Sequence, residues 1–220
     1  MTRIPSRRSR PAAAGPCLPR TGRTRGRRRI GLLGGSFNPA HDGHRHISVE
    51  ALRRLALDEV WWLVSPQNPL KPMAGMAPFN QRLAAAQQMA GDRRIRVSDL
   101  EMTFRTRFTV DTLAALRRRY PDCRFVWLMG ADNLTQLPRW RRWRHLVRTT
   151  AIAVFARPGH TLPALCGPVA RRLAPWRLAG GQAASLAGRR PPAWIFLAVR
   201  PNPASASAIR AAAAPGAVAE

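Results

Sequence analysis

Short apolar runs alternate with helix-length segments over most of this 220-residue chain. That alternation limits its fold more than any other feature. A strand, a helix and a second strand of these lengths pack as a right-handed crossover between parallel neighbours. The strand candidates are Arg29–Leu33, Val60–Val64, Ile95–Ser98, Arg124–Met129, Ala151–Phe155 and Trp194–Val199. The helix candidates are Gly43–Ala56, Pro78–Ala90, Thr109–Tyr120, Arg141–Val147 and Ser205–Ala214. Ile47, Ala51 and Leu55 recur at core spacing in the first helix, Gly91 closes the second and Pro121 stops the third. Residues 159–193 are rich in Gly, Pro, Ala and Arg and read as a long variable loop, with one helix near Val169–Leu173. The expected fold is a single α/β domain built on a doubly wound, mostly parallel sheet. Ligands then lie beyond the carboxyl ends of the strands. Four turns fall at that edge, at 34–44, 65–68, 130–132 and 157–159.

The first of these turns carries the chemistry. It runs Gly34-Gly35-Ser36-Phe37-Asn38-Pro39-Ala40-His41-Asp42-Gly43-His44. Its glycines leave backbone N–H groups open to an anion. Gly43 lets the backbone pack closely, and two histidines three apart put two imidazoles at one place. Such a turn suits phosphate. A lone histidine near a helix start would be read as a cap. Zinc held by His41, His44 and His46 lacks a cysteine or carboxylate at suitable spacing, so no metal site is assigned. His46 is taken as a surface or helix-packing residue.

Charge opens a rival reading. The net charge of +26 attracts any polyanion, as an Arg-rich nucleic-acid-binding protein would. Of the 37 Lys+Arg residues, however, only Lys71 is lysine. With its many Ala and Pro, the composition looks like the codon usage of a GC-rich genome. The charge is therefore discounted, and no specific nucleic acid is expected. Residues 1–28 are Arg-rich, free of acidic residues and without apolar periodicity. They are expected to be a disordered tail; their Pro and Gly oppose the amphipathic helix of a transit peptide. Residues 215–220 form a second, short tail. Cys17, Cys123 and Cys166 are odd in number, widely spaced and without a CxxC pair. In a chain without a signal peptide they fit a reducing cytosol, so a cytoplasmic location is expected. No segment approaches the roughly 20 apolar residues of a membrane span.

The turn also resembles a known signature. Gly-Gly-Ser-Phe-Asn-Pro-x-His-x-Gly-His is similar to the (His/Thr)-x-Gly-His motif of the nucleotidyltransferase superfamily, in the spelling of the bacterial nicotinate-nucleotide adenylyltransferases. Ser205-Ala206-Ser207-Ala208-Ile209-Arg210 resembles that family's second signature, Ser-x-(Ser/Thr)-x-Ile-Arg. Between them, Phe125 to Leu134 followed by Trp140 and Trp143 also fits, as does Arg157-Pro158-Gly159. The resemblance covers about residues 29–213 and implies a Rossmann-like nucleotidyltransferase domain over 29–214.

It also implies roles. His41, His44 and Arg210 would be catalytic. His41 and His44 would hold the ATP phosphates, and Arg210, early in the last helix, would stabilise the departing pyrophosphate. Gly35, Ser36, Phe37, Lys71, Asp132, Arg157, Ser205 and Ser207 would contact ATP, through backbone amides at the turn and through side chains elsewhere. Thr109 and Trp140 would receive the nicotinate ring, Trp140 by stacking. Phe108 stands where the family has tyrosine in Ser-Tyr-Thr, here Arg107-Phe108-Thr109. Ile209 is taken as core and Trp143 as packing. The activity implied is transfer of the adenylyl group of ATP to nicotinate mononucleotide, with Mg²⁺ carried by the substrate phosphates. Nicotinamide-mononucleotide and phosphopantetheine adenylyl transfer reuse the first signature and remain alternatives. Oligomeric state stays open.

Overall fold

A computed structural model describes residues 27–67, 75–202 and 204–212. Lys71, residues 1–26 and residues 213–220 lie outside the described residues. Seven strands form one sheet: β1 Arg28–Gly35, β2 Glu59–Val64, β3 Ile95–Ser98, β4 Cys123–Gly130, β5 Ala151–Phe155, β6 Arg177–Leu178 and β7 Trp194–Leu197. Their order is β3-β2-β1-β4-β5-β7-β6, and every pairing is parallel. The helices are α1 Asp42–Arg54, α2 Phe79–Ala90, α3 Leu100–Thr103, α4 Thr109–Arg119, α5 Ala131–Gln136, α6 Trp143–Thr149, α7 Thr161–Cys166, α8 Pro168–Leu173 and α9 Ala206–Ala212.

The central strands are apolar on both faces because both faces are covered. All six residues of β2 and all five of β5 are buried. Trp61 and Trp62 are neighbours in sequence and sit in separate cores, because side chains alternate across a strand. Each indole N–H is satisfied on its own side, Trp61 by Glu59 at 2.8 Å and Trp62 by Ser48 at 2.7 Å. One core joins Leu33, Trp62, Val64, Leu128 and Ile195 to Ala51 of α1, Leu55 just after it and Ala86 of α2. The other joins Ile30, Trp61, Phe125, Trp127 and Trp194 to α4, α6 and α8 through Leu113, Leu146 and Leu173. Strand order reverses between β1 and β4, which places a crevice at their carboxyl ends.

Three expectations change. Residues 159–193 are not a long loop: besides the helix expected near Val169–Leu173, which is α8, they hold α7, the short edge strand β6 and a 3-10 segment over Gly180–Gly188. Their Ala and Leu residues are packed, with Ala164, Val169 and Leu173 on one face of the sheet and Ala183 and Leu186 on the other. The helix expected from Arg141 starts at Trp143, after Arg142 takes a left-handed φ of 52°. Ile209, expected in the core, is 38% exposed, because α9 lies at the rim of the fold. Gly91 closes α2 as expected, at φ 62°. Among the described residues, no helix is long and apolar enough to cross a membrane.

Candidate active site

β1 delivers its carboxyl end into a turn that the rest of the fold holds tightly. Gly34 is required here, since a Cβ would lie 2.5 Å from the Trp127 ring. Phe37 takes a left-handed φ of 47°, a conformation that costs a non-glycine residue about 1 kcal/mol or more. Its ring offsets that cost: it is 1% exposed and lies 5.1 Å from Trp62 and 4.7 Å from His44. Asn38 ties the turn to the next loop, donating to the Gly75 carbonyl at 2.9 Å and accepting from Ala77 N–H at 3.1 Å. Arg82 of α2 closes the set. It is 3% exposed and donates to the carbonyls of Ser36 at 2.5 Å, Ser65 at 2.8 Å, Pro66 at 3.0 Å and Ala77 at 2.9 Å. One guanidinium thus fixes the ends of β1 and β2 together.

His41 and His44 stand where α1 begins, where backbone N–H groups point outward and favour an anion. His41 is the N-cap in extended conformation, and its N–H donates to Nδ1 of His44 at 3.2 Å. The two rings are 3.9 Å apart. A neutral His44 with Nδ1 as acceptor carries its proton on Nε2, which makes that end a donor. Gly43 makes the pair possible: a Cβ there would lie 2.9 Å from the His41 ring and 3.2 Å from the Ala204 carbonyl.

Both histidines line a cavity of about 590 Å³ between the ends of β1 and β4. Gly35, Ser36, Phe37, Asp132, Arg157, Ser207, Thr109 and Trp140 line it as well. Ser205 and Arg210 do not form its wall. Ser205 accepts the Ala208 N–H at 3.1 Å and starts α9, while Arg210 donates to the Asn38 carbonyl at 2.5 Å and binds α9 to the turn. Asp132 and Arg157 form an ion pair of 2.9 Å. At the other end, Trp140 is half-buried and meets Trp127 edge-on at 6.1 Å. Thr109 opens α4, so that helix N-terminus also faces the cavity. The Phe108 ring beside it lies 4.6 Å beneath the Arg141 guanidinium.

Sequence reasoning passed over four residues of consequence here. Arg82 and Arg141 have no signal in a chain full of arginine. His46, taken as a packing residue, lines the cavity and contacts the Arg200 carbonyl at 3.0 Å. Glu101 lies in the cavity wall and is 6% exposed, and burial pushes its carboxyl up to about 7. The cavity thus joins an end lined by two imidazoles at the start of α1 to an aromatic end with a second helix N-terminus.

Residues 32–212 match the family model for cytidylyltransferase-like proteins. Curated relatives named "Probable nicotinate-nucleotide adenylyltransferase" come from several bacteria. That of Parvibaculum lavamentivorans is 58% identical over 83% of this chain and 90% of its own length. That of Cereibacter sphaeroides is 55% identical over 83% of this chain and 96% of its own length. Among solved structures, the nicotinic acid mononucleotide adenylyltransferase of Plasmodium falciparum complexed with NaAD aligns with a TM-score of 0.62. It covers 84% of this chain and 83% of its own at 16% identity, a likeness of fold.

Proposed function

The chain belongs to the cytidylyltransferase-like family and, within it, to the nicotinate-nucleotide adenylyltransferases, and from that premise we propose how its cavity works. It transfers the adenylyl group of ATP to nicotinate mononucleotide, releasing pyrophosphate and forming nicotinate adenine dinucleotide for NAD biosynthesis. The observation that carries this reading is one cavity lined by two unlike sets of groups: the imidazole pair at α1, and Trp140 with Thr109 at the start of α4.

ATP lies with its phosphates against the turn of Gly35, Ser36 and Phe37, and with its nucleoside toward Asp132 and Arg157. The nicotinate ring stacks on Trp140, and its carboxylate meets Thr109 and the N-terminal amides of α4. The acceptor phosphate attacks the α-phosphorus. It is already ionised near neutral pH, so no general base is needed. Catalysis is positioning plus charge stabilisation. His41 and His44 hold the α-phosphate oxygens as charge builds on them. Ser207 and Arg210 attend the leaving pyrophosphate, for which Arg210 exchanges its bond to the Asn38 carbonyl for one to phosphate. Among the described residues, no group of three His, Cys, Asp or Glu could hold a metal. Mg²⁺, when bound, would be carried by the substrate phosphates and would offset their charge. Lys71, which lies outside the described residues, is proposed as a further phosphate contact.

The test is pyrophosphate release with ATP and Mg²⁺, comparing nicotinate with nicotinamide mononucleotide as acceptor. The expected result is a kcat/KM at least tenfold higher for the nicotinate form. A preference for the amide would reject the acceptor assignment.

A further inference from the structure

Glu59 and Glu101 are both buried, and their surroundings differ in kind. Glu59, which begins β2, accepts from Arg28 at 2.7 Å, Arg96 at 2.8 Å and the Trp61 indole at 2.8 Å. Its charge is offset on several sides. Glu101, in α3, is hydrogen-bonded to the Ser65 hydroxyl, and among the described residues no arginine forms an ion pair with it. A carboxylate so placed is stranded, whereas the neutral acid is not. Burial accordingly pushes its carboxyl up to about 7, against the opposing pull of the Ser65 bond.

Its place in the fold gives that ionisation a consequence. Ser65 follows β2 at the carboxyl edge of the sheet, and Ser65, Glu101, Arg107, Phe108 and Thr109 share the cavity wall. The Glu101 carbonyl accepts the Thr106 N–H at 2.9 Å, so α3 and the approach to α4 are tied together. We propose that Glu101 is a specificity-determining positioning residue for the anionic acceptor: as a neutral acid it adds no negative charge to this wall, and as a carboxylate it repels the acceptor. The inference rests on the adenylyl-transfer reading above. Nicotinate mononucleotide carries a carboxylate and a phosphate, so a negative charge in the wall opposes both. Other ionisable groups of the wall are Arg107, Arg139 and Arg141 on the acceptor side and His41, His44, His46, Asp132, Arg157 and Arg200 elsewhere in the lining.

The experiment is steady-state kinetics of the full chain and of Glu101→Gln from pH 6 to 8.5, with ATP saturating and nicotinate mononucleotide varied. Glutamine keeps the shape of the neutral acid and cannot ionise. The histidines and the acceptor phosphate are present in both proteins, so the comparison between them isolates Glu101. The acceptor KM of the wild type should rise roughly tenfold across this range as the carboxyl ionises. In Glu101→Gln it should stay near the wild-type value at low pH, with the effect confined to KM and absent from kcat. A flat acceptor KM in the wild type overturns the proposal whether or not the variant folds. The same KM slope in both proteins overturns it while leaving adenylyl transfer intact. Absence of pyrophosphate release from both proteins takes down the transfer reading and this proposal together.

Discussion

Nδ1 of His44 accepts the His41 amide at 3.2 Å, and the Phe37 ring lies 4.7 Å away. The ring is therefore oriented by that bond and by tilted packing against Phe37, His41 and Trp62, with its donor end fixed before any anion arrives. Removing it takes away a preorganised donor while leaving Phe37 packed on Trp62. His44→Ala should lower kcat by roughly 100- to 1,000-fold, the scale of losing one such donor. Its melting temperature should stay within a few degrees of the wild type. Single-turnover rates and a thermal melt check both, and turnover near the wild-type level would remove His44 from the mechanism. At this scale legibility follows rarity. The chain has 5 histidines, and two of them at a fixed spacing stand out. Arginine is everywhere, so the sequence could not mark Arg82 as a clamp or show that Arg210 rests on the Asn38 carbonyl rather than in the cavity wall. Glu101 belongs to no motif that was read, and its character comes from burial, which only the fold creates.

Elements were easier to read than residues, because strand runs and helix spacing are set by which faces are covered. β3 and β5 match their expected bounds, and β1, β2 and β4 were found within one or two residues at each end. The segment 159–193 was misread because Gly, Pro and Ala mark turns by composition, whereas here Ala183, Ala187 and Leu186 fill a shallow space over the sheet. What joins elements was illegible altogether, and α2 is the case in point. Its Arg82 reaches past its own helix to the carbonyls of Ser36, Ser65, Pro66 and Ala77. A lysine keeps the charge but has one nitrogen in place of a planar fork, so it leaves carbonyls without their donor. Each lost bond to a charged group is worth about 1.5–3 kcal/mol. Arg82→Lys should therefore destabilise the fold by a few kcal/mol, measured as a lower urea midpoint. It should also raise the KM for ATP, because the Gly35–Phe37 turn loses its anchor. An unchanged ATP KM in a destabilised variant would confine Arg82 to stability.

Over the whole molecule, 37 basic residues face 11 acidic ones, so most buried or half-buried carboxyls are expected to find a cation. Glu59 and Asp132 do. Among the described residues Glu101 forms no ion pair, and that difference makes the stability of the entire fold depend on pH. Its carboxyl rises from an ordinary 4.5 in the unfolded chain to about 7 in the folded one, chiefly through burial. The unfolded chain therefore loses this proton first as pH rises. The stability that the neutral acid contributes is complete below pH 4.5, declines as pH rises toward 7 and is gone above it. A shift of that size corresponds to about 3 kcal/mol. Glu101→Gln has no such proton to lose, so the two proteins should diverge with pH rather than differ by a constant. Near pH 4.5 the wild type should be about as stable as the variant. By pH 8 the variant should be the more stable by roughly 3 kcal/mol. Urea unfolding of both proteins at pH 5, 6.5 and 8 measures the gap directly. A gap independent of pH would mean that the cavity wall tolerates a charge at Glu101, and the buried carboxyl would then have no leverage over either folding or the acceptor.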